Sequence, residues 1–319
     1  MSASTTAVPK TKAEWLAALN SLPSTPDNIP AFFFSHGSPA LVWPENVPHP
    51  RMGDLMKSGG PKSPLAQFLA EFGPTLLEKY QPKGILVFSA HWESEGQFQV
   101  TDYGNDQPLL MDYYGFHPAL YELKFKSRGD SALSNRVVEL FEGAGLSART
   151  TKESEPRGED GRGYPGPGLD HGVFVPFRIM FGNEFTDVPI VEATIDGSLD
   201  PEKNWKVGQA VAQLRKEGIL ILAGGLMVHT FQDFSAFSED TAKPIYKEWH
   251  SAILSAVQEP SAEARKKALI YLVNHKGFRK AHPREEHFVP LYVGAGAGDN
   301  GEAKILDGTY GTPTFAFGL

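Results

Sequence analysis

GILVFSAHW, residues 84–92, holds the pattern around which the chain is organised. Its run of four apolar residues is too short for a helix face and predicts a strand buried on both sides that ends at His91. Two further stretches share this design: AFFFSHG places His36 after three phenylalanines, and ILILAGGLMVH places His229 beyond an apolar run. Ligands of open α/β sheets bind outside the carboxyl ends of the strands, so we expect these three histidines to share one pocket.

The rest of the chain alternates strand and helix patterns in the same way. Apolar residues at helical spacing predict a helix over Pro64–Tyr80, and HGVFVPFRIMF is predicted to form a helix that opens at Pro176. This alternation predicts an α/β fold with a mixed or parallel central sheet, flanked by helices on both faces, in a single elaborated domain. We assign residues 1–25 to an N-terminal lead with a short helix and residues 26–319 to that domain. Residues 153–170 are rich in Gly and Pro and are interpreted as a surface insertion or lid.

The composition of the chain excludes several classes of function. The formal net charge of -8 over 319 residues offers no basic stripe for a phosphate backbone, which argues against a nucleic-acid partner. The chain has no cysteine, which excludes disulfides, thiolate nucleophiles, iron–sulfur clusters and thiolate zinc sites. The sequence contains neither an apolar core of signal-peptide length nor a run long enough for a membrane span. We therefore expect a soluble, cytoplasmic protein without a membrane partner, and the oligomeric state stays open.

Without cysteine, any metal site must use histidine and carboxylate side chains, and the chain has ten histidines. Two of these histidines lie in short segments of similar sequence. DHGVFVPF contains His171 and EHFVPL contains His287, each with an acidic residue before the histidine and Val-Pro after it. Proline suits the first turn of a helix, so both histidines are expected at helix entrances. From position alone, these two and the three near strand ends fit a ligand or catalyst as well as a structural histidine.

The other five histidines are interpreted differently. His250 and His275 lie in helical patterns and are predicted to pack or to face solvent, while His49 and His282 lie beside prolines in loops and are interpreted as structural. His117 stands in an aromatic loop and could line the pocket. We find no convincing HExxH helix, P-loop or dinucleotide-binding glycine pattern, and the serines of SHGSP and SAHW lie outside a GxSxG elbow.

Five motifs together resemble the class III, LigB-type extradiol ring-cleavage dioxygenases, and within them the 4,5-DOPA dioxygenase subgroup. They follow that family's order across roughly residues 30–298. The motifs are SHGSPALV (35–42), SAHW (89–92), LDHG with VPF (169–177), GGLMVH (224–229) and EHFVPLYVGAGA (286–297). The resemblance implies a LigB-like catalytic domain over residues 26–319 and a mononuclear non-haem metal. That metal is usually Fe(II), while some bacterial relatives contain Zn(II).

The resemblance also implies roles for single residues. His36 and His91 match the two amino-terminal metal ligands of the family, and His287 matches the carboxyl-terminal ligand of the DOPA-type subgroup. His229 matches the histidine after the Gly-Gly turn, which is the general acid/base and, in zinc forms, a further metal ligand. His171 matches a pocket histidine that contacts the substrate or oxygen.

The sequence departs from the family at two positions. Better-known members complete the metal face with a glutamate, whereas here His287 takes that place and Glu286 is the less favoured alternative. Relatives commonly have Asn or Gln after the Gly-Gly-turn histidine, where this chain has Thr230.

The function implied is extradiol cleavage of a catechol, DOPA-like or other, by O₂. The metal would keep open positions for the two catechol oxygens and for O₂. Aromatic side chains could form the pocket walls or belong to the core; they are Phe34, Trp43, Trp92, Tyr113 and Tyr114. Two alternatives stay open. An all-histidine site also suits a zinc-dependent hydrolase. The chain could also be a non-enzymatic metal-binding protein, because the resemblance extends to metal-poor proteins of the same fold that bind or signal without catalysis.

Overall fold

A computed structural model describes residues 8–25, 27–48, 53–157 and 166–319, the side chains of residues 53–55 excepted. His49 and residues 158–165 of the predicted lid lie outside this part of the chain. The described strands are β1 Ala31–Ser35, β2 Gly84–Ser94, β3 Phe98–Asp102, β4 Lys126–Ser127, β5 Ala148–Lys152, β6 Glu184–Phe185, β7 Ile190–Asp196, β8 Ile219–Gly225, β9 Ala303–Asp307 and β10 Thr314–Phe317. The helices are α1 Lys12–Asn20, α2 Gly53–Gly59, α3 Pro64–Tyr80, α4 Ser131–Gly143, α5 His171–Phe181, α6 Pro201–Val211, α7 Pro244–Val257, α8 Ala262–Tyr271, α9 Phe278–Ala281 and α10 Pro290–Ala297.

Eight strands form one mixed sheet in the order β5-β3-β7-β2-β8-β1-β10-β9, and β4 pairs with β6 separately. The central strands β7, β2, β8 and β1 are parallel, while β10 and β9 close one edge in antiparallel pairing. The predicted α/β fold with a mixed central sheet is therefore confirmed. The antiparallel β9 was not predicted.

Helices cover both faces of the sheet, so the central strands are buried on both sides. In β2, Ile85 and Val87 pack toward one core while Leu86 and Phe88 pack toward the other, because successive side chains of a strand point to opposite faces. The first core also receives α1, α3 and α5, and the second receives α4, α6, α7 and α10. This arrangement explains why the strand reads as a continuous apolar run.

Two helices show how local signals set the element bounds. Helix α3 begins as predicted, with Pro64 in its first turn and the Ser63 hydroxyl accepting a hydrogen bond from the Ala66 N–H at 3.2 Å. The predicted opening of α5 at Pro176 is wrong. The helix begins at His171, because the Asp170 carboxylate caps it by accepting from the Gly172 N–H at 2.8 Å, and Pro176 lies inside it.

The N-terminal helix α1 lies against this core. Trp15 and Leu19 are buried, and the Trp15 ring contacts the Phe68 ring of α3 edge-on at a centroid distance of 5.9 Å. The assignment of residues 1–25 to a separate lead stays a prediction. Among the described residues, every helix is too short or too polar to cross a bilayer.

Candidate metal centre

The parallel neighbours β1, β8 and β2 bring three of the predicted histidines to the same edge of the sheet. His36 follows β1 directly, and its backbone N–H donates to the Gly225 carbonyl at the end of β8. His91 lies inside β2, which continues to Ser94 and does not end at the histidine as predicted. The pairing of β2 with β7 is irregular between Phe88 and Glu93, so His91 lies at a break in the ladder.

Imidazole rings form one cluster at this edge. His36 lies 4.8 Å from His91 and 5.3 Å from His287 between ring centroids, and His91 lies 4.9 Å from His287. His171 stacks on His91 at 4.1 Å, and His229 stacks on His287 at 3.5 Å. All five predicted site histidines are therefore neighbours, although they come from distant segments.

Three clusters of possible metal-ligand atoms occur among the described residues, each with its atoms within 4.8 Å of one another. The first joins His36, His91 and His287. The other two combine a member of that cluster with carboxylates and a further histidine: His91 with Asp112 and His171, and His287 with His229 and Glu286. The partners of the ring nitrogens decide among these clusters.

Carboxylates fix the tautomers of two histidines in the first cluster. His91 Nδ1 lies 3.1 Å from Asp170 Oδ1, and His287 Nδ1 lies 2.9 Å from Glu286 Oε1. An ionised carboxylate only accepts hydrogen bonds, so both Nδ1 atoms carry a proton, and in the neutral form of each ring Nε2 keeps a lone pair. These two Nε2 atoms face each other at 2.9 Å.

Two facing lone pairs repel unless a cation lies between or beside them. A proton is a poor occupant, because burial and the neighbouring His229 hold the pKa of His287 well below its usual range. Burial and His171 likewise lower the pKa of His36 to about 3, and neither ring nitrogen of this buried residue has a hydrogen-bond partner among the described residues. Histidine rings grouped in this way, with His36 and His287 held neutral, therefore fit a metal ion.

The carboxylate behind His91 is itself anchored in a buried network. Asp170 accepts hydrogen bonds from the Ser89 hydroxyl at 2.8 Å and from Arg157 Nη2 at 3.0 Å, besides the bond from its own helix. Burial raises the pKa of Asp170, but the Arg157 guanidinium and His91 outweigh it and hold that pKa well below its usual range. Arg157 also contacts Glu192 at 3.0 Å, and burial raises the pKa of Glu192 well above its usual range. Asp170 thus stays ionised beside a fixed positive charge.

Glycines allow these segments to approach each other. A Cβ at Gly172 would lie within 3.0 Å of His91 Nδ1 and within 2.8 Å of the Ser89 hydroxyl. A Cβ at Gly225 would lie 2.4 Å from the His287 carbonyl oxygen. Neither contact is compatible with a side chain, so the Gly-Gly turn and the glycine of LDHG are required by packing.

His229 is held by the segment that leaves β8. Its backbone N–H donates to the Ala281 carbonyl at 2.8 Å, and the Leu226 N–H donates to the His287 carbonyl at 2.8 Å. The Nδ1 atom of His229 lies 3.4 Å from Glu286 Oε1, so one carboxylate lies against both stacked rings. Burial raises the pKa of Glu286, but its hydrogen bonds to His229 and His287 outweigh it and keep that pKa well below its usual range.

A protein-family model, the catalytic LigB subunit of aromatic ring-opening dioxygenase, matches residues 30–318. The chain belongs to the LigB family. It is 42% identical over 306 residues, 96% of this chain and 97% of the relative, to a protein of Schizosaccharomyces pombe named 4,5-DOPA dioxygenase extradiol-like protein. It is 30% identical over 295 residues, 92% of this chain and 96% of the relative, to the 4,5-DOPA dioxygenase extradiol of Beta vulgaris.

The fold is also similar to a solved structure. The crystal structure of an uncharacterized protein from Escherichia coli K12 matches with a TM-score of 0.61 and 22% identity, covering 91% of this chain and 100% of that chain. The prediction of an extradiol ring-cleavage dioxygenase is confirmed by the LigB family match and the curated relatives. Membership of the LigB family implies a bound metal ion, a small aromatic substrate and O₂.

A cavity of about 600 Å³ opens onto the histidine cluster of this LigB enzyme. It is lined by all five predicted site histidines, by Tyr113 and Tyr114, and by three phenylalanines of residues 231–237. Of the five aromatic residues named from sequence, the two tyrosines line the cavity, while Phe34 belongs to the buried core. The phenylalanines were missed, because nothing in their local sequence distinguishes them from core residues.

The remaining described histidines lie outside the cluster. His250 and His282 are buried and hydrogen-bonded to the carbonyls of Gly308 and Met227, at 3.2 and 2.9 Å. His275 contacts the Trp249 ring. His117 does not line the cavity; its Nδ1 accepts from the Ala119 N–H at 3.2 Å and caps a short 3₁₀ turn.

Sequence reasoning missed Asp112 and Asp170. Asp112 Oδ1 accepts from the backbone N–H of His171 at 2.9 Å and lies 2.8 Å from its Nδ1. Asp170 is adjacent to His171 in LDHG, yet its side chain bonds to His91. The capping position of Asp170 before a helix was the available signal, but that signal does not identify a partner on another strand.

Proposed function

We propose that this LigB enzyme cleaves the ring of a catechol by extradiol insertion of O₂. The carbon–carbon bond beside the diol breaks, and both oxygen atoms of O₂ enter the product, a muconate-type semialdehyde. No external reductant is needed. The observation that carries the proposal is the pair of facing Nε2 atoms of His91 and His287, 2.9 Å apart, with His36 beside them.

We assign His36, His91 and His287 as the residues that hold the metal, and Fe(II) as the metal required for activity. When bound, Fe(II) supplies a redox-active centre with open positions for a catechol and for O₂. Two of the three ligands have a carboxylate behind Nδ1, an arrangement that raises ligand basicity and fixes ring orientation. Zn(II), which an all-histidine site also suits, is the competing occupant.

His229 is the proposed general base for the catechol hydroxyl. It lines the cavity, it is only partly buried, and Glu286 lies against its Nδ1 at 3.4 Å. With the proton held at Nδ1 by this carboxylate, Nε2 keeps the lone pair that accepts the substrate proton. His229 clusters with His287 and Glu286 and not with His36 and His91, which favours the base role over the ligand role.

His171 is the proposed second catalytic histidine. Its Nδ1 bonds to Asp112 at 2.8 Å, so Nε2 is the nitrogen left for the substrate or for oxygen. Its ring lines the cavity and stacks on His91 at 4.1 Å. A hydrogen bond from this position would orient the reacting oxygen atoms close to the metal-binding histidines.

Reconstitution tests the reaction and the metal together. Protein stripped of metal and reloaded anaerobically with Fe(II) is expected to consume O₂ with catechols and to form a yellow ring-fission product. The same protein loaded with Zn(II) is expected to consume none. If the Fe(II) form takes up no oxygen with any catechol while the Zn(II) form hydrolyses an ester or amide, the hydrolase alternative replaces this proposal.

A further inference from the structure

The mouth of the cavity is aromatic and exposed. Tyr114 is 83% exposed, Phe231 70% and Phe234 57%, and all three line the cavity. Two other large hydrophobic side chains are exposed in the described part of the chain, Tyr271 at 70% and Tyr121 at 39%. Single exposed apolar residues are ordinary, but a group at the rim of a cavity marks a binding surface.

Three phenylalanines that line the cavity, Phe231, Phe234 and Phe237, form a continuous strip that begins beside the proposed base. The Phe231 ring meets the His229 ring edge-on, with centroids 5.1 Å apart and planes at 79°. Phe234 lies 6.4 Å from Phe231, and Phe237 lies 6.3 Å from Phe234. A flat apolar group that extends outward from a catechol at His229 would therefore meet aromatic surface over its length.

The described lining of the cavity offers no lysine or arginine to a substrate carboxylate. The carboxylate among these lining residues is that of Asp112. Asp112 Oδ1 already bonds to the backbone N–H and to the ring Nδ1 of His171. A substrate carboxylate that packs against the phenylalanine rings would give up part of its water without gaining a lysine or arginine partner among the described lining residues, which is unfavourable.

The volume leaves room for such a group. The cavity of about 600 Å³ lies within the range of pockets for drug-sized ligands, roughly 300–1,000 Å³. A single catechol ring fills only part of this space. The remaining volume extends to the aromatic mouth, because Phe231, Phe234 and Tyr114 line the same cavity as the histidines.

We infer that this enzyme prefers catechols that carry an uncharged apolar substituent, above all an aromatic one, over catechols with a charged side chain such as that of DOPA. The strip of Phe231, Phe234 and Phe237, together with Tyr114, is the subsite for that substituent. This inference rests on the proposed catechol cleavage and names its substrate class.

The first experiment compares substrates that differ in charge but little in shape. We expect kcat/KM for the methyl ester of dihydrocaffeic acid to exceed that for the free acid by at least about tenfold, with DOPA no better than the acid. We also expect kcat/KM for phenylcatechol to exceed that for unsubstituted catechol. If DOPA or the free acid equals the ester, the inference is wrong. If no catechol is cleaved at all, the proposed function fails instead, so the two failures are distinguishable.

The second experiment locates the subsite. Phe234→Ala is expected to lower the ratio of kcat/KM for phenylcatechol over catechol by about tenfold, mainly through KM, because it removes contact with the substituent. Tyr271→Ala is the matched control, since Tyr271 is 70% exposed but does not line the cavity. An unchanged ratio in Phe234→Ala, or an equal fall in Tyr271→Ala, would refute the assignment.

Binding without metal or turnover gives an independent measurement. Phenylphenol carries the apolar substituent but has a single hydroxyl and cannot chelate a metal. Calorimetric titration into metal-free protein is expected to show saturable binding that Phe234→Ala weakens and Tyr271→Ala does not. Absence of binding to the wild-type protein, or equal binding to both variants, would contradict an aromatic subsite.

Discussion

Two groups of buried histidines in this molecule differ in what faces their nitrogens. At the candidate metal centre, His91 and His287 have a carboxylate behind Nδ1 and turn Nε2 toward each other. In the body of the fold, His250 and His282 bond through Nε2 to backbone carbonyls of neighbouring segments. All four are buried, so burial does not distinguish a site histidine from a structural one.

Titration does not distinguish the groups either. Burial and the neighbouring His171 lower the pKa of His36 to about 3, and burial and His229 lower that of His282 to about 3. Both are neutral at pH 7. Geometry separates the groups: His91 and His287 turn a ring nitrogen toward another histidine, while His250 and His282 use a ring nitrogen to bond to a backbone carbonyl. The predictions change a histidine of either group or, in one case, the carboxylate that bonds to such a histidine.

The largest effect is expected at His91. His91→Ala should lower metal affinity by more than the roughly 10- to 100-fold loss typical of an outer partner, because it removes a proposed ligand. Metal content after equilibrium dialysis, measured by mass spectrometry, checks this, with His250→Ala as the control that retains metal. Near-normal metal content in folded His91→Ala protein would exclude this residue from the ligand set.

Asp170→Asn is expected to have the next largest effect. Asp170 fixes the proton of His91 on Nδ1, and its loss should weaken metal binding by about 10- to 100-fold while the ligands themselves remain. Competition with a chromogenic chelator measures the affinity. Glu192→Gln is the matched control, because it changes the other carboxyl partner of Arg157 and leaves the hydrogen bond to His91 in place. Equal losses in both variants would indicate general damage to the buried network.

The contrast between these groups also shows how far sequence reasoning reaches. The central strands were predictable because their apolar runs are local, whereas β9 was missed. The proximity of the five histidines was predictable because strand ends and helix entrances converge at one edge, but their roles were implied only by the family resemblance and stay a prediction. The carboxylates were not, since Asp170 bonds to a histidine 79 residues away and not to its neighbour His171. The start of α5 was wrong for a related reason: proline favours a first turn, but the side-chain cap at Asp170 decided the boundary.

A moderate effect on stability, and not on metal, is expected at His282. His282→Leu removes one of two hydrogen bonds to the Met227 carbonyl, while Trp249 Nε1 still donates to it at 2.8 Å. The free energy of unfolding of the metal-free protein should fall by about 1–3 kcal/mol. Urea denaturation measures this. A loss of metal affinity as large as that of Asp170→Asn would show that His282 supports metal binding and is not only a structural histidine.

The smallest effect is a pH dependence at His250. Burial lowers its pKa to about 4, against about 6.5 in an unfolded chain, so between these values the unfolded state binds the additional proton. The stability contributed by neutral His250 is therefore complete above pH 6.5 and is lost as the pH falls toward 4. Glutamine does not titrate, so the unfolding free energy of His250→Gln minus that of the wild type should rise by about 3 kcal/mol on acidification from pH 7 to pH 4. Denaturant titrations of both metal-free proteins across this range measure the difference. A difference that stays constant with pH would mean that the pKa of His250 does not change on folding, which would contradict a histidine that burial keeps neutral.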